Sequence, residues 1–139
     1  QYGVRIGEKT AEEIKLSLGA ALIGGMERRQ FKGRSLKTGL PECVALTGGE
    51  VSHAIAPTVR RIVDSVRRTL SETPPELAAD LIDTGIVLTG GGAKLKGLDK
   101  LISHETGLKV SIAEDPMYCV ALGALKLGSG EDMDAPRYA

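Results

Sequence analysis

Ile86-Val87-Leu88-Thr89-Gly90-Gly91-Gly92-Ala93-Lys94-Leu95 is the stretch on which the fold turns. An apolar, β-branched run leads straight into three glycines, and a helical pattern follows. This reads as a strand ending in a loop where bare backbone comes close to something. One use for such a loop is contact with a nucleotide at the carboxyl end of a strand. The other is a tight strand-to-helix turn that needs glycine for steric reasons alone. The triplet by itself leaves both open.

Outward from this stretch, the chain continues in an α/β pattern. Thr73-Pro74-Pro75-Glu76 breaks one segment and starts the next, with Pro75 suited to the first turn of a helix over Glu76–Ile82. Leu95, Leu98, Leu101 and Ile102 form a helical stripe after the glycines, and Gly107 closes it. Val110–Ile112 reads as a second short strand, and Pro116 precedes a last helix over Met117–Leu127. Helix, strand, helix, strand, helix is a layered α/β arrangement. The tail Ser129–Ala139 is polar, contains Pro136, and reads as disordered.

The first half has a different texture. Thr10-Ala11-Glu12-Glu13 is a capping box, followed by Ile14, Leu18, Ala21 and Leu22 at helical spacing, with Gly24-Gly25 as the stop. Met26–Lys32 and Cys43–Leu46 read as a small antiparallel ribbon with a turn at Lys32-Gly33. Thr47-Gly48-Gly49-Glu50 is a second capping box. The helical region behind it carries Ile55, Val59, Ile62, Val66 and Leu70 on one stripe, with Val63 beside it. Pro57 is expected either to split this region or to begin its long helix. Arg60, Arg61, Arg67 and Arg68 sit off the stripe and read as a solvated face.

Composition excludes several classes. Lys+Arg and Asp+Glu balance at 18 each, so no net field draws the chain to nucleic acid. Without Trp, and with Phe31 as the single Phe, the core is expected to be aliphatic and base stacking on aromatic platforms is not expected. Cys43 and Cys119 are far apart and are expected to be buried free thiols in a reducing compartment. His53 and His104 have no evident base or nucleophile partner. Asp64, Asp80, Asp83, Asp99 and Asp115 show no metal-ligand pattern. No catalytic or metal-binding residue is assigned. Neither a signal peptide nor a long apolar segment is evident, which points to a cytosolic chain. Opening on Gln1 and almost at once on a helix signal suggests a piece of a longer protein.

Five motifs in order resemble the MreB family, the bacterial actins that govern rod shape. They are Ile6-Gly7-Glu8-Lys9-Thr10-Ala11-Glu12-Glu13-Ile14-Lys15, then Gly33-Arg34-Ser35-Leu36-Lys37-Thr38-Gly39-Leu40-Pro41, then Thr73-Pro74-Pro75-Glu76-Leu77-Ala78-Ala79-Asp80. Gly85 to Ala93, continuing through Gly97-Leu98-Asp99, is the fourth; Ala113-Glu114-Asp115-Pro116 with Cys119-Val120-Ala121-Leu122-Gly123 is the fifth. The resemblance covers Tyr2 to about Leu127 and leaves out the tail.

The resemblance implies an actin-like ATPase fold in which two lobes close on ATP, with this chain forming most of the second lobe. Residues 1–11 and 75–128 would form a ribonuclease-H-like subdomain, and 12–74 a small inserted α+β subdomain. Glu12 and Lys15, spaced i, i+3, match a pair that reaches the ribose and adenine of ATP; otherwise they are an exposed helix ion pair. Gly90, Gly91 and Gly92 would bring backbone to the adenosine and α-phosphate. The start of the next helix near Ala93 and Lys94 would add N–H groups. Met117 and Tyr118 either close over the adenine or pack locally. The phosphate hairpins, the metal-holding acids and the water-orienting carboxylate of the family have no match here. ATP, with Mg²⁺ supplied through the missing lobe, is therefore the expected cofactor, weak or unbound for this chain alone. The implied partners are a second copy, in a filament or dimer, and a membrane-anchored adaptor of the cell-shape machinery. The membrane itself would be met only indirectly, at the inner face of a cytoplasmic location. Self-association is expected through the apolar or glycine-rich face around Gly91 and Ala93. Two other readings stand beside this one: an interaction module of actin-like fold without nucleotide, and part of an actin-like superfamily kinase.

Overall fold

The computed structural model describes residues 2–23 and 25–129 of the chain. Two compact units emerge, one built from 1–62 with 95–97 and the other from 63–94 with 98–139.

The first unit begins with strand β1 (Val4–Arg5) and helix α1 (Glu8–Leu18). Strands β2 (Arg28–Ser35) and β3 (Pro41–Thr47) follow, and then the first part of helix α2 (Gly48–Glu72). The strands form an antiparallel sheet in the order β1-β2-β3. Phe31 of β2 lies opposite Val44 of β3, and both are buried. With Ile14 and Leu18 of α1 and Val51 of α2 they make the core of this unit. Ile14 and Leu18 are one helical turn apart, so α1 turns a single apolar stripe to that core.

Several boundaries differ from the sequence expectation. Helix α1 starts at Glu8 with Gly7 as its cap, so Thr10 lies inside the first turns and its capping box is unused. The helix stops at Gly19, whose N–H donates to the Lys15 carbonyl at 2.9 Å. Ala20 then pairs with Lys96 as an isolated parallel bridge, which pulls Ala21 and Leu22 out of helical geometry. Of the expected stop at Gly24-Gly25, Gly24 lies outside the described residues, and Gly25 falls beyond the helix. The ribbon is antiparallel as expected, but its turn is at 36–40, closed by Ser35 N–H on the Leu40 carbonyl at 2.9 Å. Gly33 is mid-strand instead. A Cβ there would approach the Arg5 carbonyl to 2.7 Å, so the glycine lets β1 lie against β2.

Thr47 and Glu50 do form the second capping box. The Thr47 N–H and hydroxyl both donate to Glu50 Oε2 at 2.8 Å, and the Glu50 N–H donates back to Thr47 Oγ1 at 3.3 Å. Helix α2 then runs unbroken through Pro57. Pro57 removes a donor from the His53 carbonyl, but both residues are exposed, so water can take the vacant acceptor. Burial of Val51, Val59 and Val63 along the stripe holds the helix together across that gap. Val63 is central to the stripe, while Ile62 is 40% exposed.

The second unit contains the rest of α2, helix α3 (Pro75–Thr84), strand β4 (Ile86–Leu88), a 3-10 turn (Gly91–Lys94), helix α4 (Leu98–Thr106), strand β5 (Val110–Ile112) and helix α5 (Cys119–Gly128). Strands β4 and β5 pair in parallel, Ile86 against Val110 and Leu88 against Ile112. The crossover between them runs through α4, whose Leu98 and Ile102 are buried with Ala93 of the turn. Pro75 takes the first helical position of α3, as read from the sequence. Helix α5 begins two residues later than expected, because 116–118 form a turn. Its end is satisfied by Ser129, whose N–H donates to the Leu125 carbonyl at 3.0 Å. The rest of the tail expected to be disordered, 130–139, lies outside the described residues. No helix among the described residues is long and apolar enough to cross a membrane.

Candidate nucleotide-contact site

The glycine turn sits directly after β4. Leu88 ends the strand, Thr89 follows, and Gly90 reverses the chain with a φ of 78°. The Gly90 N–H donates to the Pro116 carbonyl at 2.6 Å, which ties the turn to the segment before α5. One 3-10 turn follows, and α4 begins only at Leu98. No α-helix starts at Ala93 or Lys94, because the bend at 95–97 intervenes. Ala93 has its N–H on the Gly90 carbonyl at 3.2 Å and its side chain packed at 2% exposure.

The three glycines differ in what the fold asks of them. Gly90 needs glycine for its backbone angle. A Cβ on Gly91 would meet only Met117 Sδ, at 3.4 Å. A Cβ on Gly92 would meet nothing within 4 Å, and its φ lies outside the glycine-favouring region. A purely steric turn therefore accounts for Gly90 and leaves Gly92 without an internal reason. Met117 and Tyr118 are exposed beside the turn, at 57% and 63%.

Glu12 and Lys15 belong to α1 in the other unit. Their side chains form an ion pair of 2.8 Å and are about half exposed, 54% and 50%. Glu12 also lines an open groove of about 900 Å³ between α1 and β2, with Lys9, Glu13, Leu16, Arg29 and Phe31. An exposed pair of this kind is worth little to the fold, so either partner can exchange it for a ligand at small cost.

Other chemistry is sparse. No group of three His, Cys, Asp or Glu residues among the described ones is placed to hold a metal ion. The carboxylate with the richest bonding is Glu50, held below the usual carboxylate range by the hydrogen bond from Tyr2 and those from Thr47. The Tyr2 hydroxyl is raised in turn, chiefly by donating to Glu50. Tyr2 was missed in the sequence, where its separation of 48 residues from Glu50 leaves no local signal. Cys43 is exposed, contrary to expectation, because it occupies an outward-facing position of β3; Cys119 is partly covered. Both are free thiols.

The MreB/Mbl protein family matches residues 1–135. The chain belongs to that family. It is 43% identical over 124 residues to the cell shape-determining protein Mbl of Bacillus cereus, covering 88% of this chain and 37% of that one. It is 45% identical over 126 residues to the cell shape-determining protein MreB of Escherichia coli, covering 90% and 36%. The chain thus spans a little over a third of the length of these MreB/Mbl relatives. MreB5 of Spiroplasma citri bound to ADP superposes with a TM-score of 0.87 at 32% identity, over 93% of this chain and 40% of that one. A MamK double helical filament superposes at 0.71 over 96% of this chain and 40% of that one; at 22% identity this bears on fold alone. The fold is that of the actin-like ATPases.

Proposed function

We propose that this chain is the second-lobe portion of an MreB-like cytoskeletal filament subunit that binds ATP and directs rod cell shape and cell-wall synthesis. The observation that carries the reading is Gly92, a glycine that neither backbone angle nor packing requires, in a turn at the carboxyl end of β4. Membership of the family and the likeness to MreB5, described bound to ADP and in a second structure to AMPPNP, support it. In this reading Glu12 accepts from ribose hydroxyls, and the Lys15 stem packs on the base while its ammonium donates. Gly90, Gly91 and Gly92, with Ala93 closing the run, let backbone lie against the adenosine and α-phosphate. ATP supplies the bond whose hydrolysis state biases filament contacts; its phosphates and Mg²⁺ are held by the other lobe.

The same reading divides the chain into a subdomain of residues 1–11 and 75–128 and an insertion of 12–74. It places the complete protein in the cytoplasm at the inner face of the membrane, with a membrane-anchored adaptor and further copies of itself as partners. This chain carries no residue matched to the water-orienting carboxylate, so turnover belongs to the complete protein. The test is Glu12→Ala with Lys15→Ala in a longer protein that carries this lobe. Nucleotide affinity is expected to fall while the thermal midpoint stays put. Unchanged affinity returns the pair to an ordinary surface ion pair.

A further inference from the structure

The three-stranded sheet breaks a rule of strand pairing. Its register places Arg5 of β1 opposite Arg34 of β2. Like charges directly opposed on one sheet face are destabilising. The burial of Phe31 and Ser35 fixes the faces: the odd positions of β2 turn to the core, and Arg28, Gln30, Lys32 and Arg34 project from the other side, exposed. Their partners on β3 are Thr47, Ala45, Cys43 and Pro41. The strands therefore place Arg5, Arg28, Lys32 and Arg34 on the outer face and none of their own carboxylates; Glu50 of α2 reaches only its Arg28 end, through Thr47. Glu42 pairs with Gly33 on the core side.

These cations are not neutralised within the unit. Among the described residues none of the four forms an ion pair, whereas Arg29, on the core side of the same strand, pairs with Glu27 at 2.7 Å. Glu50 feels the charge of Arg28, but its oxygens are engaged by Thr47 and Tyr2. Arg34 spends its Nε on the Gly39 carbonyl at 2.7 Å and keeps the rest of its guanidinium free. A chain with no net charge has concentrated positive charge on one small face, against its own pairing energy.

We propose that this sheet face docks an acidic, extended segment of a partner protein. Alternate residues of a strand stand about 7 Å apart, the same interval at which an extended peptide presents alternate side chains. Arginine binds carboxylates in bidentate fashion, and the short side chains of Cys43 and Ala45 leave the β2 cations standing clear. Between the cations the strands place Gln30, Cys43, Ala45, Thr47 and Pro41, with no aromatic stack and no large apolar side chain, and Tyr2 beside Arg28 is engaged by Glu50, which favours a peptide over bases or a bilayer.

The test is titration calorimetry of the full chain with a capped peptide of alternating Glu and Ser, at low salt and near 0.15 M. Binding is expected that weakens with salt. R5Q with R34Q is expected to lower affinity at least roughly tenfold, and R60Q with R61Q on α2 to leave it unchanged. R5Q alone spares the Arg34 bond to Gly39 and relieves the like-charge pair, so its thermal midpoint is expected not to fall. Absence of peptide binding overturns the proposal, as does an equal loss in R60Q/R61Q. Tighter binding to phosphatidylglycerol vesicles or to a single-stranded oligonucleotide also overturns it. A dimer in sedimentation that R5Q/R34Q abolishes would assign the face to a second copy instead.

Discussion

Gly92→Ala separates a glycine kept for a ligand from one kept for a turn. At Gly90 the φ of 78° is a conformation that alanine adopts at a cost of roughly 1–2 kcal/mol. At Gly92 an added methyl meets nothing within 4 Å and the backbone angle is ordinary. Replacing glycine at such a position stabilises a fold by about 0.4–1 kcal/mol, because the unfolded chain loses freedom. Gly90→Ala and Gly92→Ala are therefore expected to differ by about 2 kcal/mol in urea unfolding of this chain, Gly92→Ala being the more stable. In a longer protein that carries the lobe the order reverses in meaning. There the harmless methyl at Gly92 stands where nucleotide is proposed to meet bare backbone. Affinity is expected to fall at least tenfold, about 1.4 kcal/mol. If Gly92→Ala costs this chain more than about 1 kcal/mol, the turn has an internal demand for glycine and the reasoning fails. It fails equally if the longer protein binds nucleotide unchanged.

Mg-ATP calorimetry on this chain alone is expected to show nothing tighter than roughly millimolar, about −4 kcal/mol, since no residues here match the family's phosphate hairpins or metal-holding acids; a micromolar constant, or steady-state hydrolysis that Gly91→Trp abolishes, would contradict this. Thr47→Ala removes the hydroxyl of the reciprocal cap and is expected to cost about 1 kcal/mol in chemical unfolding; no change would mean that the box is ornamental to α2. The depressed Glu50 carboxyl contributes stability above its ordinary range that is lost as pH falls through its lowered value. The raised Tyr2 hydroxyl contributes below about pH 10 and loses that contribution as pH rises through its raised value. Tyr2→Phe is therefore expected to flatten the pH dependence of the thermal midpoint at both extremes, and an unaltered profile would show that the pair does not hold in solution.

The sequence was legible where physical signals were local. The capping box at Thr47–Glu50, the strands Ile86–Leu88 and Val110–Ile112 and the helix start at Pro75 each depend on neighbours within a few residues. Reading failed where distant chain intervened. Helix α1 ends early because Ala20 finds Lys96, and Gly33 is a glycine in mid-strand because β1 lies close beside it. Cys43 is exposed because the register set by Phe31 and Val44 turns it outward, which no count of apolar residues reveals. For the candidate site, the sequence pointed to the glycine run and to Glu12 with Lys15. The difference between Gly90 and Gly92 needed the backbone angles.

A residue is evidence of function to the degree that the fold fails to explain it. Thr47 and Glu50 satisfy each other and start α2, so they need no ligand. Phe31 belongs to a buried core and needs none either. Glu12 and Lys15 meet in water, where such a pair adds at most about 1 kcal/mol, so stability is a weak reason for keeping both. Gly92 gives up backbone entropy without a turn that requires it. Arg5 and Arg34 go further, since their pairing works against the sheet that displays them. These positions form a graded series, from neutral to the fold, through mildly costly, to opposed. A chain selected only to fold would relax the opposed pair first, because a single neutral substitution relieves it. Its presence on an exposed face, with neither arginine in an ion pair among the described residues, is thus the strongest indication that this part of the surface is answerable to something outside the chain.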